Sequence, residues 1–319
     1  MLLTPEILTL DILNALFLLF GSVAFYFSVR ILLYYDATAT TSLQYRLEKQ
    51  SYLVATIIKF IFALKIPLFI FFIFTLDNIS TMLPGAMCAA GVVNATAYGT
   101  PLLMLKILNL YLFGYWIVLH SEDMKYEDRR YLRLKFSVFV IAYFLLVVEM
   151  ILQTMMFFSI DVSSVVDCCG ALFSTTNGSY MAVLLGAKPL YILSAFYGVF
   201  ALTVVAYFAK NRYLFSLLNL LYLIVALVSL IAFFGTYIYE LPTHHCPFCL
   251  LQKDYHYIGY LLYIFLFIGT FYGVVLGLIS FGTKESLLKF RLSLIFDTLY
   301  LFCVSYYPLA YYIKNGVWL

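Results

Sequence analysis

Residues 213–239, YLFSLLNLLYLIVALVSLIAFFGTYIY, carry no Asp, Glu, Lys or Arg, and residues 257–282 are equally free of them. A helix crosses a hydrocarbon core about 30 Å thick with roughly 20 apolar residues, at about 1.5 Å per residue. Both runs therefore read as membrane-spanning helices, and residues 12–29 make a third that ends at Arg30. Five further runs, 52–76, 101–119, 136–160, 189–209 and 292–313, each hold at most two ionisable residues. Barrel strands alternate over about 10 residues, whereas these runs are continuous. The expected class is all-α integral membrane, with about eight transmembrane helices.

Composition agrees. Of 319 residues, 65% are apolar and 11% charged, too few charges to cover a soluble domain. The first residues include Glu6 and Asp11 and lack a basic start and a small-residue cleavage pattern, so no cleavable signal is expected and the first run is kept as a helix.

Cytoplasmic links gather Lys and Arg. Arg46 and Lys49 follow the first run, Lys125, Arg129, Arg130, Arg133 and Lys135 surround the link between the third and fourth, Lys210 and Arg212 follow the fifth, and Lys284, Lys289 and Arg291 precede the eighth. The alternate links, 77–100, 161–188 and 240–256, contribute only Lys188 and Lys253. Both termini and these three loops are thus expected outside a plasma membrane of the bacterial inner-membrane type. The net charge of +3 is accounted for by this topology and gives no support to nucleic-acid binding. Residues 41–50 are read as a cytoplasmic link rather than an interfacial helix.

Two segments share an order of cysteine-bearing loop followed by a helix opening with Pro: Cys88 then Pro101, and Cys168-Cys169-Gly170 then Pro189. Proline is tolerated in a first helical turn for local reasons, so a degenerate repeat is not required. The N-x-Ser/Thr triplets at Asn78, Asn94 and Asn177 lie in loops rich in such residues and need no glycan. The 29 Tyr and 31 Phe fit lipid-facing surfaces and an interfacial belt.

Chemistry concentrates in Thr243-His244-His245-Cys246-Pro247-Phe248-Cys249, just before the seventh run. Two cysteines three apart can close a small disulfide ring, and a helix N-terminus with a nearby cation stabilises thiolate. The same spacing supplies two zinc or copper ligands, to which His244 and His245 would add nitrogen. A structural staple is the third reading. Leu250 follows Cys249, so this is not a c-type haem site. Cys88, Cys168, Cys169, Cys246 and Cys249, five of the six cysteines, fall on the expected outer side, where disulfides persist. Adjacent cysteines pair with each other only through a strained ring, so Cys168 or Cys169 is expected to exchange with another partner. Cys303 reads as an apolar filler in the eighth run.

The order Cys169-Gly170, Ser174, Gly186, Pro189, two helices and then Cys246-Pro247-Phe248-Cys249 resembles the vitamin K epoxide reductase-like fold and, more distantly, membrane oxidases of the disulfide bond formation B type, over residues 131–282. The resemblance implies a four-helix thiol-redox bundle there, flanked by a three-helix region at 1–130 and an eighth helix at 283–319. It implies that Cys249 faces a membrane quinone, that Cys246 exchanges with a loop cysteine, and that the loop takes electrons from a separate periplasmic thiol protein. The family spaces its loop cysteines apart, so here Cys88 would have to supply the missing partner. Cys249 is expected about 4.5 Å deeper than Cys246 along the seventh helix, with His244, His245 and Lys253 holding thiolate.

Ionisable residues inside spans face the bundle interior. Glu149 lies mid-span, with Lys65 and Lys106 in other spans; they form either an ion pair or, with Glu149 near the quinone, a proton path. The reading that follows is a thiol:quinone oxidoreductase. Its alternatives are a zinc- or copper-binding or transport protein using His244, His245, Cys246 and Cys249, and a quinone-facing structural subunit of a respiratory complex.

Overall fold

The computed structural model describes residues 4–36, 41–126, 128–166, 186 and 188–319. Helix accounts for 81% of it, and no strand occurs among the described residues. Its helices are α1 (Pro5–Tyr34), α2 (Ser42–Ser80), the short α3 (Ala89–Asn94), α4 (Gly99–Asp123), α5 (Leu132–Ser159), α6 (Pro189–Phe208), α7 (Arg212–Ser229) continued by a π turn (Leu230–Phe234) into α8 (Gly235–Tyr239), α9 (Ile258–Leu278) and α10 (Thr283–Asn315).

Local chemistry sets the ends. Thr4 caps α1, accepting from the Ile7 amide, with Pro5 in the first turn. Thr41 caps α2 in the same way through Gln44, so residues 41–50, expected as a link, begin a continuous helix instead. Asn211 caps α7 through the Leu214 amide. Gly316, at φ 73°, closes α10.

Seven spans, counting Arg212–Tyr239 as one, are long and apolar enough to cross a membrane among the described residues. The expected eighth is present as α10, which is helical well beyond residues 292–313. Its Ser293, Asp297, Ser305 and many tyrosines leave it less apolar than the other seven, so the count of eight does not carry over.

The chain divides into two units, Met1–Pro84 with Val92–Ser164, and Gly85–Gly91 with Val165–Leu319. In the first, α1 packs on α2 and α5, and α4 packs on the same two, which closes a four-helix ring. In the second, α9 packs on α7 and α10, and α6 on α7. The C-terminal bundle thus uses α6, α7, α9 and α10. The helix expected at 136–160 belongs to the first unit as α5, so the chain does not divide at the expected boundaries of 130 and 282.

Each unit turns apolar residues outward and polar ones inward. Phe60, Ile141, Phe208 and Phe302 are exposed, while Asn14, Lys65, Lys106, Asn109, Glu149, Asn219 and Asp297 are buried. Water would reverse that pattern and lipid favours it. The chain is a multi-pass membrane protein of the all-α class.

Candidate thiol site

The loop between α8 and α9 starts where Glu240 turns left-handed, at φ 52°, and its N–H returns to the Thr236 carbonyl. It ends at two further left-handed residues, His256 and Tyr257. Between them the chain makes one-turn 3-10 segments at Cys249–Leu251 and Lys253–Tyr255. The Cys-x-x-Cys motif therefore does not open the long helix. α9 begins only at Ile258, beyond the break at His256 and Tyr257, so neither its dipole nor a difference in depth along it separates Cys246 from Cys249. Gly259 permits this compact arrangement, because a Cβ there would lie 2.8–2.9 Å from Cβ, C and O of Leu250.

The motif is pinned from several sides. The Tyr239 hydroxyl donates to the Cys246 carbonyl and the Tyr263 hydroxyl to the Pro247 carbonyl at 2.8 Å. The ring of Tyr239 also stands edge-on between His244 (4.4 Å) and Tyr255 (4.6 Å). His245 Nδ1 lies 3.0 Å from the Ile231 carbonyl, in the π turn, and so acts as its donor. Gln252 Nε2 donates to the Met87 carbonyl at 2.9 Å, which ties residues 85–91 to the loop. None of Tyr239, Tyr263 and Gln252 is marked by a motif; a polar residue close to a cysteine pair is the only sequence signal they carry.

That tether brings Cys88 home. Its Sγ lies 3.5 Å from Sγ of Cys246, and the sulfurs of Cys88, Cys246 and Cys249 all lie within 4.8 Å of one another, every one buried. The surroundings are apolar and aromatic, including Phe234, Ile238, Leu250 and Leu262. Burial holds the His244 imidazole below its ordinary range, with the Cys88 sulfur pulling the other way and His245 adding to the lowering. His244 Nε2 is buried and makes no hydrogen bond among the described residues. Burial, then Cys249, pushes the Tyr255 phenol up.

Other expected site residues fall elsewhere. Lys253 is exposed and forms no ion pair among the described residues. Cys168, Cys169 and Ser174 lie outside the described residues. Cys303 packs, half-buried, against the same apolar cluster as the thiols. Glu149 belongs to the first unit, where its Oε1 accepts from Lys65 at 2.9 Å and from Lys106 at 2.8 Å. Asn109 donates to its Oε2, and Asn14 accepts from Lys65 at 3.0 Å; the sequence reading passed over both asparagines, although an amide inside an apolar run is itself a signal.

Three sulfurs at these separations can exchange a disulfide or share a soft cation. Comparison with protein-family models, with curated proteins and with solved structures finds no match for the chain.

Proposed function

We propose that the chain is a membrane thiol oxidoreductase working through Cys88, Cys246 and Cys249 on the outer face of a plasma membrane. The observation that carries this is the 3.5 Å separation of the Cys88 and Cys246 sulfurs with Cys249 beside them. A disulfide needs about 2.05 Å between sulfurs, a closure of about 1.5 Å. Cys246, the sulfur shared by two partners, is the exchange centre. Thiolate of Cys88 attacks Sγ of a Cys246–Cys249 disulfide, the bond to Cys249 breaks, and the electron pair leaves on Cys249 as thiolate. A separate thiol protein then reduces the Cys88–Cys246 disulfide with its own dithiol, which becomes a disulfide. A membrane quinone, as the acceptor class, takes two electrons and two protons from the Cys246/Cys249 dithiol and regenerates its disulfide. Positive charge in the short links on the other side supports the orientation.

A second reading has its own observation. The three buried sulfurs of Cys88, Cys246 and Cys249, all within 4.8 Å of one another, are the soft donors that zinc or copper(I) takes.

Treating the purified chain with a water-soluble quinone and mapping its peptides without reductant separates the two. The redox reading expects loss of two thiols, a Cys246–Cys249 or Cys88–Cys246 link, no quinone reduction by Cys249→Ser, and in Cys246→Ser neither link nor turnover. A protein that keeps stoichiometric zinc or copper and all its thiols through that treatment supports the metal reading and sinks the redox one. If Cys246→Ser has native turnover and native metal content, both fail.

A further inference from the structure

The ionic cluster of the first unit plays no part in the thiol chemistry and has a charge count that does not close. Lys65 and Lys106 share one carboxylate, Glu149, and all three side chains are less than 8% exposed. Glu149 lies more than two turns from either end of α5, in the part of the helix expected to meet hydrocarbon. Its oxygens are satisfied: Oε1 by both ammonium groups and Oε2 by Asn109 Nδ2 at 2.6 Å. The lysines are not. An ammonium carries three N–H donors. Lys65 uses one on Glu149 and one on Asn14; Lys106 uses one on Glu149 and lies 4.3 Å from the centre of the Phe72 ring. Each retains a donor, and the pair retains a positive charge.

Two charges facing one in a low-dielectric interior leave an excess that is unfavourable unless something answers it. Asp11, one turn toward the start of α1 from Asn14, is held by Gln153 at 3.4 Å and pairs with neither lysine among the described residues. What does adjoin the cluster is a half-open pocket of about 10 Å³ with Lys65, Lys106 and Glu149 in its wall, lined otherwise by apolar side chains such as Leu68, Leu110 and Phe113. That is room for one guest of about water size.

We propose that this pocket is a binding site for a monatomic anion of the halide class, chloride in most media, held by the spare N–H donors of Lys65 and Lys106. The apolar side chains of the wall, Leu68, Phe69, Leu110 and Phe113, offer a hydrated ion no polar partners, so the guest binds stripped of part of its water. Glu149 sets the affinity from the opposite direction: it fixes both lysines in place and repels the guest.

The test uses the full chain in detergent, with sodium chloride, sodium bromide or sodium gluconate at equal ionic strength. Chloride and bromide should raise the thermal midpoint saturably over gluconate, and crystals grown in bromide should show its anomalous signal within hydrogen-bond reach of both ammonium groups. Lys106→Gln should remove the halide increment, whereas Lys125→Gln, at an exposed side chain paired with Glu122, should keep it. Glu149→Gln retains the shape and removes the repulsion, so halide should bind more than about tenfold tighter. A purely structural ion pair predicts no such gain. Should Lys106→Gln fail to fold, the bromide signal and the Glu149→Gln affinity decide. Equal midpoints in halide and gluconate, no bromide at the site, or weaker halide binding in Glu149→Gln would each overturn the assignment.

Discussion

Gly273→Ala should loosen the second unit by an amount that the structure allows to be worked out. A Cβ built on Gly273 would lie 2.1, 2.4 and 2.5 Å from Cγ, Oδ1 and Nδ2 of Asn219. Non-bonded carbon contacts settle near 3.5–4.0 Å, so the amide must retreat by more than about 1 Å. Asn219 has nowhere cheap to go. It donates to the Phe215 carbonyl at 2.9 Å and accepts from Ser293 Oγ at 3.1 Å, and it is fully buried between α7, α9 and α10. Overpacking costs about 1–3 kcal/mol and each lost hydrogen bond about 0.5–1.5 kcal/mol, so the sum is about 2–6 kcal/mol. Titrating the folded chain with a denaturing detergent, followed by far-UV circular dichroism, measures it. Gly198→Ala, where nothing lies within 4 Å of the added atom, should be neutral or slightly stabilising. The double variant Gly273→Ala with Asn219→Ala should cost less than the sum of the singles by about 1 kcal/mol or more, because removing the amide makes the room. A Gly273→Ala chain within about 0.5 kcal/mol of the parent, or strictly additive costs, would refute the argument that this contact sets the spacing of α9.

In gluconate medium, Glu149→Leu leaves two buried ammonium groups without their shared carboxylate and should cost roughly 3–5 kcal/mol, while replacing Lys65, Lys106 and Glu149 together by Met should recover most of that loss, both read by the same detergent titration. His244 gives a pH dependence with a definite sign: its folded imidazole is held below its ordinary value of 6.5, so below that value the unfolded chain binds the proton more readily and stability falls as pH drops. His244→Gln should flatten that limb, as measured by thermal midpoints from neutral to mildly acidic pH, and an unchanged slope would mean that the imidazole is not held neutral by the fold.

Spans were legible because twenty apolar residues in a row have few uses besides a bilayer. Helix ends were less so. The apolar run marks the hydrocarbon, and a helix is free to continue past it into polar residues, as α2 does back to Ser42 and α10 to Thr283. Neighbours were legible only through the expected ion pair of Glu149 with Lys65 or Lys106, which the structure shows with both lysines. In lipid the outward and inward apolar residues of a helix look alike, so no apolar residue of 136–160 says that this helix joins α1, α2 and α4 rather than the C-terminal bundle. The information lay in the exceptions: Asn14, Lys65, Lys106, Asn109 and Glu149 sit on four helices, and none tolerates lipid. Grouping the polar residues of the apolar runs would have identified the first bundle.

The thiol site divides in the same way. Cys246 and Cys249 stood out by spacing, a local property that survives whatever the chain does around them. The helix thought to begin there depended on His256 and Tyr257 staying right-handed, and neither is the Gly or Asn that announces a left-handed residue. Cys88 lies 158 residues from Cys246, beyond any periodicity, and a sequence reading could reach it only by asking which loop cysteine the pair still lacked. The answer rests on Gln252, a residue with no motif, whose amide grips the Met87 carbonyl one residue before Cys88. The same grip helps keep the three sulfurs dry. A protein dithiol cannot reach a sulfur that is at most 4% exposed, so the exchange proposed for Cys88 requires residues 85–91 to lift from the 240–257 loop. A metal ion needs no such opening once bound, which makes the mobility of this segment the physical point on which the two chemistries part.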